Sequence, residues 1–419
     1  MSDGDHGASG PRAGPEAVPA GQARARAGRR WVVLVAGMAA MTAGCTFQYG
    51  LAYLIPAFRQ EGLSLEAAGI LVACPTAGLL LTLVAWGAAA DKWGERLVLG
   101  TGLTLAGLVL LAGSTAHGTG ALAACLVLAG AAGASVYAAS GRLILGWFGA
   151  HERGLAMGIR QSAQPLGVAV AALALPTIGE HGPSAALAFL GTFCLAASAL
   201  VGVGVRDPPR SASRQQAEAG SPYRTPVLWR IHSASALLVV PQFAVGTFAL
   251  VFLVDQHGWH APAAGRLLAV AQACGAAARL GAGYWSDRAG SRLRPMRALA
   301  LATALVLLGL AVGSVTRSPL AVAVLLAASV ISVSTNGLAF TAVAEFAGSS
   351  WAGRALGIQN TGQNVFAAVT PPVLAAVIGG AGYGLAFGAV ALFPLVAAAF
   401  IPVGAEGRAL APGAAPSTN

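Results

Sequence analysis

Long apolar segments alternate with short polar ones from residue 31 to residue 403. The apolar segments are continuous, as in Leu97–Gly113 and Leu385–Val403, whereas a transmembrane β-strand alternates apolar and polar side chains. A helix needs about 20 apolar residues to cross the hydrocarbon core of a bilayer. The pattern therefore predicts membrane-spanning helices at 31–55, 66–90, 97–116, 120–147, 154–178, 185–205, 229–254, 262–285, 297–315, 319–345, 353–378 and 383–402.

The twelve predicted helices fall into two equal groups on either side of a polar linker. The linker, residues 206–228, contains several Pro, Ser and Gln residues, and it separates a first bundle at 31–205 from a second bundle at 229–403. Residues 1–30 are rich in Gly, Ala, Pro and Arg, which predicts a disordered tail, and 404–419 form a second tail. We therefore predict an all-α membrane protein with twelve transmembrane helices in two six-helix bundles.

The composition agrees with a membrane protein. Of the 419 residues 56% are hydrophobic and only 10% are charged, whereas soluble domains contain about 25% charged residues. The mean hydropathy is +0.70. A net charge of +10 would suggest nucleic-acid binding in a soluble protein, but here it fits the basic residues that hold loops in the cytoplasm. We expect a lipid bilayer around the chain and no nucleic acid.

The basic residues also predict the orientation. With the N-terminus inside, 19 of the 25 Lys and Arg residues lie in inner segments. The outer segments contain only Arg59, Arg266 and Arg317. Positive loops stay in the cytoplasm, so both termini and the linker are predicted to be cytoplasmic, in a plasma or inner membrane.

Parts of the first bundle recur in the second. Gly87-Ala-Ala-Ala-Asp91-Lys92-Trp93-Gly94-Glu95-Arg96 corresponds to Gly283-Tyr-Trp-Ser-Asp287-Arg288-Ala289-Gly290-Ser291-Arg292, at an offset of 196 residues. Residues 156–164 correspond to 355–363 at an offset of 199, and Gln48-Tyr49 corresponds more weakly to Gln242-Phe243. Matches in the same order at nearly one offset indicate a duplicated six-helix unit.

The repeated loop has the features of a gating element. We expect Gly87 and Gly283 to let helices approach closely, and Gly94 and Gly290 to permit a tight turn. Each Asp is placed to pair with Arg or to cap a neighbouring helix N-terminus. The predicted gating residues are Gly87, Asp91, Lys92, Gly94, Arg96, Gly283, Asp287, Arg288, Gly290 and Arg292.

The doubled loop resembles the signature of the major facilitator superfamily, and the resemblance covers residues 31–405. It implies two bundles around a central cavity and alternating access by rocking. It also implies that the first, fourth, seventh and tenth helices line the cavity. Those helices contain several polar residues, among them Gln48, Tyr49, Tyr137, Gln242 and Asn336.

Three arginines fall within predicted helices: Arg142, Arg160 and Arg279. Ionisable residues inside a membrane are costly and are candidates for function, and no Asp or Glu lies at a comparable depth in the sequence. The guanidinium fork matches the two oxygens of a carboxylate, so the pattern favours an anionic substrate. Arg142 and Arg160 have an alternative role, because they could pair with acids near the inner interface, such as Asp91, Glu152 or Glu345.

A narrower resemblance points to the same arginine. Ala278-Arg279-Leu280-x-x-Gly283-x-x-Ser286-Asp287 is similar to helix eight of monocarboxylate porters and oxalate:formate-type antiporters, in which the Arg binds the substrate carboxylate. Trp147-Phe148 with Arg153-Gly154-Leu155-Ala156-x-Gly158 resembles the junction of their fourth and fifth helices. The chain departs at Gly275, where the proton-coupled porters have Asp, and this puts proton coupling through that position in doubt.

Amide side chains complete the set of candidates. Gln164 and Gln363 lie on the corresponding fifth and eleventh helices, where they could bind substrate or bind helices together. The candidate substrate-binding residues are Arg279, Arg142, Arg160, Gln48, Tyr49, Tyr137, Gln164, Gln242, Asn336 and Gln363. The seven histidines fall in tails, loops or helix ends, so the sequence predicts no metal site and no cofactor.

Secondary transport of a small organic anion, a mono- or dicarboxylate, is the function that these residues favour. A proton and a counter-anion are both open as coupling ions, and we expect a monomer. Proton-coupled efflux of cationic or lipophilic compounds ranks lower, because no membrane-embedded carboxylate is found. A non-transporting membrane sensor is a third hypothesis. No catalytic motif is visible, so the sequence predicts no enzyme.

The orientation can be tested with Ser213→Cys and His257→Cys in a chain whose five native cysteines are replaced by Ala. Because the arginine distribution places these positions on opposite sides, an impermeant maleimide added to intact cells should label only His257→Cys. Equal labelling of both positions from outside would contradict the predicted topology.

Overall fold

A computed structural model describes residues 20–148, 159–207 and 221–409, and all regular structure in these ranges is helical. The all-α prediction is therefore confirmed. In the first half α1 (Ala20–Gly50) is extended by a 3-10 turn (Leu51–Leu54) and a short helix (Ile55–Gln60). The next helices are α2 (Leu65–Trp93), α3 (Glu95–Gly113), α4 (Thr119–Trp147), α5 (Ala163–Ile178) and α6 (Pro183–Gly204).

The second half has the same order of helices. It begins with α7 (Val227–His257), α8 (Ala261–Arg288) and α9 (Leu293–Val315). The helical segment Leu320–Phe400 is interrupted by non-helical backbone at Gly348 (φ 71°) and Gly382 (φ 80°), which divides it into α10 (320–347), α11 (349–381) and α12 (383–400). A short helix, α13 (Val403–Ala409), follows.

Ten helical segments of the described chain are long and apolar enough to cross a membrane. One of them, Trp351–Glu406, has 56 residues. A straight helix of that length would measure about 84 Å, far more than the roughly 30 Å hydrocarbon core, so the break at Gly382 separates two crossings. Dividing that segment gives eleven crossings among the described residues. The less apolar α8 is not among the ten segments, and it must also cross the membrane if the predicted total is twelve.

Several predicted boundaries need correction. The first helix begins at Ala20, eleven residues before the predicted start, so part of the predicted N-terminal tail is helical. The helix α13 likewise occupies part of the predicted C-terminal tail. The junction residues 149–158 and the linker residues 208–220 lie outside the described residues.

The two halves pack closely near their predicted outer ends. A Cβ atom added at Gly265 of α8 would lie 2.2 Å from the carbonyl oxygen of Ala172 in α5. A Cβ atom added at Gly69 of α2 would lie 2.7 Å from the Cβ of Ala375 in α11. Glycine is therefore required for the backbones of the two bundles to meet at these crossings.

An ion pair joins the halves at the same end. Nη1 of Arg59 lies 2.7 Å and 2.6 Å from the two carboxylate oxygens of Asp255, at the end of α7. The Tyr383 hydroxyl donates to the same carboxylate at 3.2 Å. Together with the glycine crossings, these contacts close the predicted outer side of the molecule.

The predicted close approach at Gly87 and Gly283 is wrong for this conformation. No atom of a neighbouring helix lies within 4 Å of a Cβ added at either glycine, because the two halves meet at the opposite ends of α2 and α8. The predicted turns are confirmed, since Gly94 and Gly290 have φ values of 93° and 57°. The gating role of these loops stays a prediction.

The helices that follow the two repeated loops are capped at their N-termini by acids from outside those loops. Asp207, after α6, accepts from the backbone N–H of Arg96 at 2.7 Å. Glu406, after α12, accepts from the backbone N–H groups of Arg292 and Leu293 at 2.6 Å and 2.9 Å. Each acid therefore stabilises the N-terminus of the helix that follows a repeated loop, α3 or α9.

The sequence left two roles open for Asp287, pairing with an arginine or capping a helix. In the structure it pairs with Arg292. The Nε of Arg292 also donates to Glu345 at 3.1 Å. Partial burial lowers the pKa of Arg292, but its interactions with the two carboxylates outweigh this, and the net shift of the pKa is upward. The loop between α8 and α9 is thereby fastened to the end of α10.

Removing the outer ion pair should favour opening of the outer side. For Arg59→Ala we expect up to about fivefold faster labelling of a Gln272→Cys reporter by an impermeant reagent from outside, since exposed ion pairs contribute roughly 0–1 kcal/mol. The exposed Arg266→Ala is the matched control and should leave the labelling rate unchanged. Equal rates in Arg59→Ala and the parent would show that this pair does not hold the outer side closed.

Candidate functional site

A cavity of about 800 Å³, counting the part open to solvent, lies between the two halves. Its walls come from α1, α2 and α5 of the first half and from α7, α8, α10 and α11 of the second. The polar and aromatic lining residues are Gln48, Tyr49, Tyr53, Thr76, Gln164, Gln242, Phe243, Thr247, Gln272, Arg279, Ser329 and Ser332. Five of the ten predicted binding residues are among them: Gln48, Tyr49, Gln164, Gln242 and Arg279.

Arg279 is the charged side chain of this lining. Its Nε donates to the carbonyl oxygen of Val333 in α10 at 3.0 Å, which fixes the guanidinium against one wall. Within the described ranges, its two terminal nitrogens have no hydrogen-bond partner and no Asp or Glu forms an ion pair with it. The charge is therefore presented to the cavity without a counter-charge from the described chain.

The repeated pair of residues in α1 and α7 lies at the junction of the two halves. The rings of Tyr49 and Phe243 meet edge to face, with centroids 5.5 Å apart. Gln48 donates to the Thr76 hydroxyl at 3.1 Å, and the Gln242 carbonyl oxygen accepts from Asn336 at 2.7 Å. Asn336 is thus a positioning residue behind Gln242, which corrects its predicted place in the lining.

No described side chain of α4 is among the lining residues of this cavity, contrary to the expectation for the fourth helix. The Tyr137 hydroxyl lies 3.4 Å from the sulfur of Cys45 in α1. The Ser140 hydroxyl accepts from Nε and Nη2 of Arg160 at 3.1 Å and 2.9 Å. Tyr137 and Ser140 therefore pair within the first bundle.

Arg160 is buried, with an exposed fraction of 8%, and it lies outside the cavity lining. It does not pair with Asp91 or Glu345 as one sequence alternative required, because Ser140 and Gln161 take its hydrogen bonds. The other suggested partner, Glu152, lies outside the described residues, and so does the side chain of Arg142.

Gln363 binds helices together and does not line the cavity. Its amide donates to Ser235 of α7 at 2.7 Å. One turn away, His232 lies 3.0 Å from the Gln359 oxygen through Nδ1 and 3.0 Å from the Tyr223 hydroxyl through Nε2. His232 is buried in the second turn of α7. These pairs join α7 to α11.

Four polar lining residues escaped the sequence interpretation: Thr76, Thr247, Gln272 and Ser329. Each is a polar residue in a predicted membrane-spanning helix, which is a signal in itself. The four residues lie on four different helices, α2, α7, α8 and α10. Only the fold shows that they line the same cavity.

Comparison with solved structures identifies the fold. A bacterial homolog of the human lysosomal transporter Spinster, in an inward-facing and occupied conformation, aligns with a TM-score of 0.74 at 16% identity, over 90% of this chain and 97% of that one. A D-xylose–proton symporter aligns with a TM-score of 0.69 at 16% identity, over 87% and 96%. A nucleoside transporter, NupG, aligns with a TM-score of 0.70 at 13% identity, over 89% and 99%.

Sequence comparison agrees. Uncharacterised MFS-type transporters from two strains of Mycobacterium tuberculosis are each 42% identical to the chain over 390 residues, which is 92% of this chain and 87% of theirs. The sequence profile of the Major Facilitator Superfamily matches residues 45–371. With its many apolar helices, the chain is a multi-pass membrane transporter and not an enzyme, and it belongs to the Major Facilitator Superfamily.

Proposed function

We propose that the chain is a secondary transporter of a small organic anion, a mono- or dicarboxylate, and that Arg279 binds the anion. The observation that supports this most strongly is the position of Arg279 in the central cavity without an acidic partner among the described residues. D-xylose and nucleosides, named for two of the structural relatives, are uncharged. The anion proposal therefore rests on the residues of this chain.

The energetic cost of the charge supports a ligand role. A guanidinium within a membrane is unfavourable by at least ~2.5 kcal/mol on insertion scales, and a bound carboxylate would offset that cost. Val333 occupies only Nε, so the two terminal nitrogens remain for the two carboxylate oxygens. This two-pronged geometry is specific to Arg.

The surroundings favour anions over cations. Among the described residues, the lining contains polar neutral groups and Arg279 but no carboxylate. Efflux of cationic compounds would need a counter-charge that the described lining lacks. A non-transporting sensor has no support from the family to which the chain belongs.

Alternating access gives the transport step. The outer ends of the bundles meet at Gly265, Gly69 and the Arg59–Asp255 pair, so the cavity is expected to open inward in this conformation. Rocking about the Tyr49–Phe243 contact would exchange the open side. In this proposal the repeated loops that contain Asp91 and Asp287 lie on the cytoplasmic side and control that exchange, in an inner membrane with both termini in the cytoplasm.

Arg279 variants test the proposal in proteoliposomes supplied with a panel of radiolabelled carboxylates, with and without a pH gradient. Arg279→Gln should abolish uptake, because it removes the charge that binds the anion. Arg279→Lys keeps the charge but loses the fork, so it should raise the substrate concentration for half-maximal uptake by about tenfold or more, equivalent to roughly 1.4 kcal/mol.

Arg266→Gln is the matched control, since Arg266 lies exposed on the same helix and should not affect uptake. Near-normal anion uptake by Arg279→Gln would refute the proposal and bring the efflux hypothesis forward. The uptake measured with and without the pH gradient also distinguishes a proton from a counter-anion as the coupling ion.

A further inference from the structure

Two buried polar atoms in the cavity wall have no partner. Gln48, with an exposed fraction of 1%, donates through its amide nitrogen to Thr76, but its carbonyl oxygen accepts no hydrogen bond. Ser332 in α10, with an exposed fraction of 2%, has a hydroxyl without a partner. Both residues line the same cavity as Arg279. Buried polar groups in native proteins are normally hydrogen-bonded, so each unpaired one requires an explanation.

Closely related residues of the same wall do not share this feature. Gln242, which corresponds to Gln48 in the repeat, has its carbonyl oxygen satisfied by Asn336 at 2.7 Å. Ser329, one turn before Ser332, donates to the Leu325 carbonyl oxygen at 2.8 Å. Other buried polar atoms of the described chain also have no partner, among them the Thr335 hydroxyl one turn after Ser332. Of the residues that line this cavity, only Gln48 and Ser332 have such an atom, one on each bundle.

We propose that Gln48 and Ser332 form a subsite for a hydroxyl group of the transported anion, so that the preferred substrates are small hydroxy acids. This inference rests on the proposed role of Arg279. A substrate hydroxyl is both donor and acceptor. It can donate to the Gln48 oxygen and accept from the Ser332 hydroxyl, which satisfies both unpaired groups at once.

Other substituents match the subsite less well. A keto oxygen only accepts, so it leaves the Gln48 oxygen unpaired. An alkyl group pairs with neither residue. An ammonium group can donate to both, but it brings a second cation near Arg279, where the described lining offers no carboxylate. A site built to hydrogen-bond a substrate hydroxyl rejects analogues that lack it, because its buried polar groups are then left unpaired.

The test is uptake by wild-type proteoliposomes of four three-carbon acids that differ only at the second carbon: lactate, pyruvate, propionate and alanine. We expect lactate to reach half-maximal uptake at a concentration about tenfold lower than each of the others, equivalent to about 1.4 kcal/mol. The same measurement on Arg279→Gln shows whether uptake depends on Arg279, the residue proposed to bind the carboxylate.

Two variants assign the preference to the subsite. Gln48→Leu and Ser332→Ala should each reduce the preference for lactate over propionate to less than about threefold, while propionate uptake persists. Ser329→Ala is the matched control: it removes a hydroxyl from the same helix and cavity, but that hydroxyl is already satisfied. It should leave the preference unchanged. Ser332→Ala is a small change, so it keeps the test valid if Gln48→Leu does not fold.

The outcomes separate this inference from the proposed function. If the wild type takes up all four acids equally and in an Arg279-dependent manner, the hydroxyl subsite is refuted and the anion proposal stands. If Ser329→Ala lowers the preference as much as Ser332→Ala, the subsite is also refuted. If none of the four acids is taken up, the subsite is refuted, and the wider carboxylate panel decides the anion proposal. If uptake persists in Arg279→Gln, the anion proposal fails and the subsite fails with it.

Discussion

The structure depends on one constraint: the Arg279 guanidinium lies in the central cavity, and no described residue provides a counter-charge for it. Charges taken out of water are costly unless they are paired and hydrogen-bonded. Arg279 has one backbone partner, Val333, and no acidic partner among the described residues. A bound carboxylate would supply the missing negative charge and accept hydrogen bonds from the two terminal nitrogens. The helices around Arg279 serve to hold that guanidinium and to control which side of the membrane reaches it.

Gene duplication explains the two similar bundles around the cavity but not the presence of Arg279 in one of them. The repeated loops, the acid caps Asp207 and Glu406 and the paired positions Gln48 and Gln242 follow the internal symmetry. Arg279 has no arginine counterpart in the first half at the same offset. Gln48 and Gln242 also differ, because Asn336 satisfies one and not the other. Both of these departures from the internal symmetry lie in the cavity lining.

The sequence predicted the helices well because crossing a bilayer imposes length and apolarity on every span. It predicted Gln48, Tyr49, Gln242, Gln164 and Arg279 as cavity residues because polar groups in apolar helices are costly unless they face a cavity or a partner. The same reasoning could not distinguish a polar residue that faces the cavity from one that pairs with a neighbouring helix. Tyr137, Asn336 and Gln363 proved to have protein partners, and that depends on how helices rotate against one another, which a single sequence does not specify. The caps by Asp207 and Glu406 join residues more than 100 positions apart, so no local pattern signalled them.

The central claim is that the Arg279 guanidinium binds the carboxylate of the substrate. A cryo-EM structure of the protein with a small carboxylate bound in its cavity tests this most directly. We predict that the two carboxylate oxygens lie about 3 Å from the two terminal nitrogens of Arg279, with Nε still bound to Val333. A carboxylate bound elsewhere, with Arg279 paired to an acidic residue of the protein, would contradict it.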